Sequence, residues 1–132
     1  MRLSYRANEN TLRLTLDQER GHAERTVDLS GYVDMGTGGR IAGVEALGGL
    51  ELDLERAFDR WLSDDSAAAY VSLGSGSVYI ELSAPEESDV REQIRAIEAT
   101  FTAEIDAEGR MVALSIPRRG AGYEISYPSG NR

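Results

Sequence analysis

The 132-residue sequence contains no cysteine, only one histidine and only three prolines, and all fourteen of its basic residues are arginine. Each shortage excludes something. Without cysteine there is no disulfide framework to require an oxidising compartment. Without lysine, Schiff-base chemistry and a phosphate-loop lysine are both ruled out. The lone His22, in "ERGHAER", lacks the further nitrogen or sulfur ligands that a metal site needs, and an exposed loop histidine is the expected reading. No apolar run approaches the ~18 residues of a membrane-spanning helix. The opening stretch, "MRLSYRANEN", turns polar within a few residues and lacks the apolar core of a signal peptide. The expectation is a cytoplasmic bacterial protein that neither spans nor binds a membrane.

What is present points to a folded domain. Apolar residues make up 41% and charged residues 28% of the chain, enough for a core and too much patterning for disorder. The formal net charge is −9. Such a surface repels phosphate backbones, so general nucleic-acid binding is disfavoured. It steers a basic protein partner instead, although net charge also serves simply to keep a small domain soluble.

The chain says nearly the same thing twice. "GGRIAGVEAL" at 38–47 and "EGRMVALSIP" at 108–117 both read glycine, arginine, then alternating apolar residues. With Gly39-Arg40 laid over Gly109-Arg110, Val27, Leu29, Gly31, Val33 and Met35 fall over Ile97, Ala99, Phe101, Ala103 and Ile105. Both sets keep the period of a half-buried strand. Further upstream the offset shifts by four residues. There Leu12, Leu14 and Leu16 match Val78, Ile80 and Leu82. The spacing change belongs in a connection, where insertions are tolerated. Each copy reads as strand, turn, strand, connection, strand, hairpin turn, strand. Gly39 and Gly109 supply the positive-φ position of the second hairpin, and Asp106 suits the start of its turn.

Between the copies, Leu50, Leu54, Phe58, Trp61 and Leu62 recur at helical spacing and predict a helix over about 52–63. Asp53 with Arg56, and Arg56 with Asp59, are placed to pair on its wet side. A short helical segment is expected within 83–94, where Ser83 and Glu86 have capping-box spacing. "YEISYP" at 123–128 predicts an edge strand ended by Pro128. The fold expected is α+β and predominantly antiparallel β. It comprises two strand-rich repeats, 1–50 and 67–132, joined by an amphipathic helix within 51–66 and related by a pseudo-two-fold axis. Each repeat is too small to hold a generous core alone, so the whole is expected to fold as one cooperative unit.

The strand and hairpin pattern resembles the YuzE-like family of small bacterial domains of unknown function. The first copy carries Tyr5, Leu12, Leu14, Leu16, Val33-Asp34, Gly39-Arg40-Ile41, Gly43-Val44-Glu45 and Leu47. The second carries Asp106, Gly109-Arg110-Met111 and Leu114. Arg6 stands where the family tends to have Asp, Gly36 replaces the turn Asp, and Ser115 and Pro117 replace the Glu and final Leu of the second hairpin. The resemblance implies no catalytic residues. Some members look like partners in small toxin–antitoxin-like pairs.

No side-chain set singles itself out as catalytic, cofactor-binding or metal-ligating. The acidic stretches "ELDLE", "DD" and "EE" lack the loop pattern of calcium sites and read as solvated faces. "GTGG" at 36–39 fits a hairpin turn better than a phosphate cradle. Phe58 and Trp61 are the residues to watch, either as core packing or as a partner interface. The expected function is a non-catalytic protein-interaction or structural module, antitoxin-like in binding a basic protein partner. The alternative is a small-molecule or peptide-binding domain using the cleft between the repeats. A homo-oligomer is left open, and a carboxylate-based hydrolase ranks last.

Overall fold

A computed structural model describes residues 1–17, 21–49, 52–82 and 94–127. The chain runs through β1 (Arg2–Arg6), β2 (Thr11–Thr15), β3 (Arg25–Met35) and β4 (Ile41–Leu47). Three short helices follow, α1 (Leu54–Ala57), α2 (Asp59–Ser63) and α3 (Asp65–Ala68). Then come β5 (Val71–Leu73), β6 (Ser77–Glu81), β7 (Arg95–Ile105), β8 (Met111–Pro117), β9 (Arg119–Gly120) and β10 (Tyr123–Glu124). The first eight strands form one curled antiparallel sheet in the order β1-β2-β8-β7-β3-β4-β6-β5, and β9 and β10 form a separate hairpin.

Period-two alternation sorts each strand onto two faces. Leu12, Leu14, Val27, Leu29, Val33, Val44, Ala46, Val78, Ile80, Phe101, Ala103, Leu114 and Ile116 all turn inward and are buried in one continuous cluster. The backbone of the sheet is the long β3–β7 ladder, which runs from Arg25↔Ile105 to Met35↔Arg95 with Ser30↔Thr100 at its centre. To one side β2 pairs β8 with Leu14 opposite Leu114. To the other β6 pairs β4 with Ile80 opposite Val44. The β3–β4 ladder slips between Asp34 and Met35, and the β7–β8 ladder slips between Glu104 and Ile105. Beyond each slip the chain turns through a glycine at positive φ, Gly39 at 80° and Gly109 at 85°, as the hairpin reading requires. At the centre Gly31 has no room for a side chain. A Cβ there would overlap the Glu45 carbonyl oxygen and the Phe101 ring.

Two segments cover the inner face. In the first, the single helix expected over 52–63 is instead three short helices spanning 54–68. The chain leaves helical geometry at Phe58 (φ −95°, ψ 5°). Asp64 then starts a new turn, its carboxylate accepting from the Ser66 N–H at 2.9 Å. Phe58 and Trp61, three residues apart, both point inward. They are fully buried, their rings 5.9 Å apart edge to face, and the Trp61 indole donates to the Met111 carbonyl at 3.1 Å. The expected pairing of Arg56 with Asp53 and Asp59 gives way to other bonds. Asp53 caps α1 through the Glu55 and Arg56 N–H groups, Arg56 donates to the Glu108 carbonyl, and Asp59 pairs with Arg110 at 3.4 Å. Arg60 reaches the buried Asp106 at 3.3 Å. The helices therefore grip the β7–β8 hairpin.

The second segment is the C-terminal one. The expected edge strand over 123–128 does not join the main sheet. Pro117 ends β8, Gly122 turns the chain at φ 93°, and β10 folds back on β9. Tyr123 and Ile125 are spent on the core. The Ser126 N–H donates to the Gly39 carbonyl at 2.7 Å, so this segment grips the β3–β4 hairpin. The short helix expected within 83–94 and the proline stop at 128 lie outside the described residues, apart from Ile94, as does Leu50.

Candidate functional site

The outer face of the sheet is built by the side chains that alternation turns away from the core. Pairing aligns them in rows across the strands. One row runs Ser72–Tyr79–Glu45–Tyr32–Glu98, from β5 across β6, β4 and β3 to β7. The next row runs Glu81–Gly43–Asp34–Ala96. These two rows bring Asp34, Glu45, Glu81 and Glu98 together around Tyr32 and Tyr79, and no strand position within them is basic.

Tyr79 organises the block. Its ring lies over Gly43, where a Cβ would collide with the phenol. The Asp34 carboxylate stands beside its hydroxyl. Burial against the sheet, then the charge of Asp34, Glu81 and Glu45, pushes the phenol up to about 12. A phenol so placed stays neutral at ordinary pH and acts as a donor, which opposes any role as a nucleophile or base.

The other half of the outer face is different in character. Its rows run Ser4–Arg13–Ser115–Thr102–Asp28 and Thr15–Ala113–Glu104–Thr26. Here Arg13 meets Glu104 at 2.9 Å, so charge is neutralised within the face. Small side chains leave a shallow hollow of about 260 Å³ lined by Arg6, Glu9, Arg13, Thr26, Thr102, Glu104 and Ser115.

A larger hollow of about 490 Å³ opens beside the helices, among Leu16, Asp17, Arg60, Ser63, Asp64, Asp65 and Ser66. Two of its three acids are already committed. Asp17 pairs with the Met1 amino group at 2.7 Å, and Asp64 caps α3. Among the described residues no group of three or more histidines, cysteines and acids is placed to hold a metal. His22 is exposed in the β2–β3 connection. Phe58 and Trp61 lie beneath the surface and form no part of the outer block.

The junction of the two halves is filled. Phe101 packs over Gly31, with Leu29, Val33 and Ala103 buried around it. The sequence reading missed the acidic block. Its members are scattered over 32–98, and only the β4–β6 and β3–β7 pairings collect them. The signal available in advance was the outward register of the same alternating strands. Among the described residues no helix is long and apolar enough to cross a membrane. Comparison with protein-family models, with curated proteins and with solved structures finds no match to the chain.

Proposed function

We propose that the chain is a non-catalytic protein-interaction module, made of two tandem YuzE-like repeats, whose acidic outer block takes a basic protein partner. The observation that carries this reading is the composition of the block: Asp34, Glu45, Glu81 and Glu98 around two tyrosines, with no basic strand position among them. Acidic surface of this kind steers and orients cationic partners. Neutralising such a partner is also the antitoxin-like role that the family resemblance implies.

The strand order supports the repeat. Exchanging β1–β4 for β5–β8 turns β1-β2-β8-β7-β3-β4-β6-β5 into its own reverse. The pairings follow the offsets seen in the sequence, since Leu14↔Leu114 corresponds to Ile80↔Val44. A pseudo-two-fold axis through Ser30↔Thr100 relates the halves, and each half's trailing segment grips the other half's hairpin. That is the geometry of a dimer of single repeats made permanent by fusion. Within this reading the two outer blocks began alike. Arg13 and Thr102 now stand at the positions of Tyr79 and Tyr32. The charge of one block is internally neutralised and that of the other is left for a partner. A cleft between the repeats draws no support from the filled junction.

The test is a titration with a poly-arginine peptide. The combined variant Asp34→Asn, Glu45→Gln, Glu81→Gln, Glu98→Gln should bind much more weakly than wild type. A control with the same charge change elsewhere, Glu9→Gln, Glu24→Gln, Glu55→Gln, Asp65→Asn, should lose little. Equal losses in both would reduce the effect to net charge and overturn the assignment.

A further inference from the structure

The two ends of the sheet are guarded differently. At one end β1 carries exposed Arg2 and Arg6, and the Tyr127 hydroxyl donates to the Leu3 carbonyl at 3.0 Å. Charges and covering segments of this kind keep an edge strand from pairing with other chains. At the other end, among the described residues, β5 has neither. The stretch 69–77, "AYVSLGSGS", holds no charge, and Tyr70 and Leu73 are 49% and 37% exposed. Among the described residues β5 pairs only with β6.

The register says which backbone groups are left over. Ser72 lies opposite Tyr79. The Glu81 N–H donates to the Tyr70 carbonyl and the Gly74 N–H to the Ser77 carbonyl, each at 2.8 Å. In an antiparallel ladder the bonded residues alternate. Tyr70, Ser72 and Gly74 therefore turn their backbone groups toward β6. Val71 and Leu73 turn theirs to the open edge.

We propose that this edge docks an extended basic segment of a partner protein, which adds to β5 as a ninth strand. This deepens the proposed function and rests on it. The backbone of Val71 and Leu73 supplies the ladder, the mode by which extended peptides join exposed sheet edges. Charge decides the occupant. Tyr70 and Ser72 begin the outer-face rows that continue into Glu81 and into Tyr79 and Glu45. An arginine on the outer face of the added strand lies across the Tyr70 ring and reaches Glu81, combining cation–π and ionic contact. A second copy of this chain would instead bring its own acidic block alongside the first.

The probe is a short peptide alternating arginine with valine, added to the full chain and followed by amide hydrogen exchange. Binding should slow exchange at Val71 and Leu73 and should weaken with salt, and a peptide alternating glutamate with valine should not bind. Leu73→Pro removes an outward N–H and no sheet bond, so it should weaken binding by roughly tenfold or more while leaving the melting temperature near wild type. Binding that shifts only the outer block, with no protection at Val71 and Leu73, would overturn the strand addition and leave the proposed function standing. No binding at low salt would overturn both. Self-association abolished by Leu73→Pro would make a second copy the occupant and overturn the proposal.

Discussion

At the residue scale, three side chains carry most of the consequence. Trp61 is fully buried and bonded to the Met111 carbonyl, so Trp61→Ala removes a large apolar group and leaves a buried acceptor open. The expected cost is about 3–5 kcal/mol, measured as a shift in the denaturant midpoint at constant slope. Tyr79 should titrate later than an ordinary phenol. Its phenol stands at about 12 because of burial first and Asp34 second. Absorbance titration compared with Tyr79→Phe should show a late phenol, and Asp34→Asn should bring it part of the way back. Because its folded value lies above the unfolded one, the associated stability is full below about pH 10 and is lost as pH rises toward the folded value. Asp106 behaves in the opposite sense. Burial pulls its carboxyl up, but the Arg110 and Glu108 N–H groups and the Arg60 guanidinium outweigh that and hold it below the ordinary range. The stability it contributes is present above about pH 4 and is lost as pH falls through the depressed value. Asp106→Asn should therefore be less stable than wild type at neutral pH, and the gap should close in acid.

At the element scale, the hairpins were the most legible parts of the sequence and the helices the least. Gly39 and Gly109 stand out because a tight turn at positive φ leaves few alternatives to glycine. Leu12, Leu14, Val78 and Ile80 stand out because a two-sided strand must alternate. The helical break at Phe58 could not be read the same way. Leu54, Phe58 and Trp61 fit one straight stripe, so their spacing carries no mark of the turn at Phe58. The caps at Asp53 and Asp64 were visible in principle as aspartates before short runs of helix formers. If the two later hairpins occupy equivalent places, Gly39→Ala and Gly109→Ala should cost similar amounts, about 1–2 kcal/mol each. Gly39 should come out somewhat worse, because its Cβ would press on the Glu124 carbonyl at 3.0 Å whereas that of Gly109 meets the flexible Arg56 side chain at 3.3 Å. Thermal melts of the two variants compare them directly.

At the scale of the whole molecule, the eight-stranded sheet and its apolar cluster draw on strands from both ends of the chain. Calorimetry should accordingly give one transition, and two separated transitions would speak against the shared core. The predominantly antiparallel β class was readable because it rests on local periodicity. The acidic block was not, because it exists only after four strands are paired. In the proposed reading that block is where the two halves of the outer face differ, one neutralised by Arg13 and Glu104 and the other left acidic. The most direct measurement is a map of backbone amide shifts on adding the alternating arginine–valine peptide. The account predicts shifts clustered at Val71 and Leu73 and over the adjoining block of Tyr32, Asp34, Glu45, Tyr79, Glu81 and Glu98, with Asp28, Thr102, Ser115 and Arg13 on the other half unmoved. Shifts spread equally over both halves, or confined to the second, would contradict it.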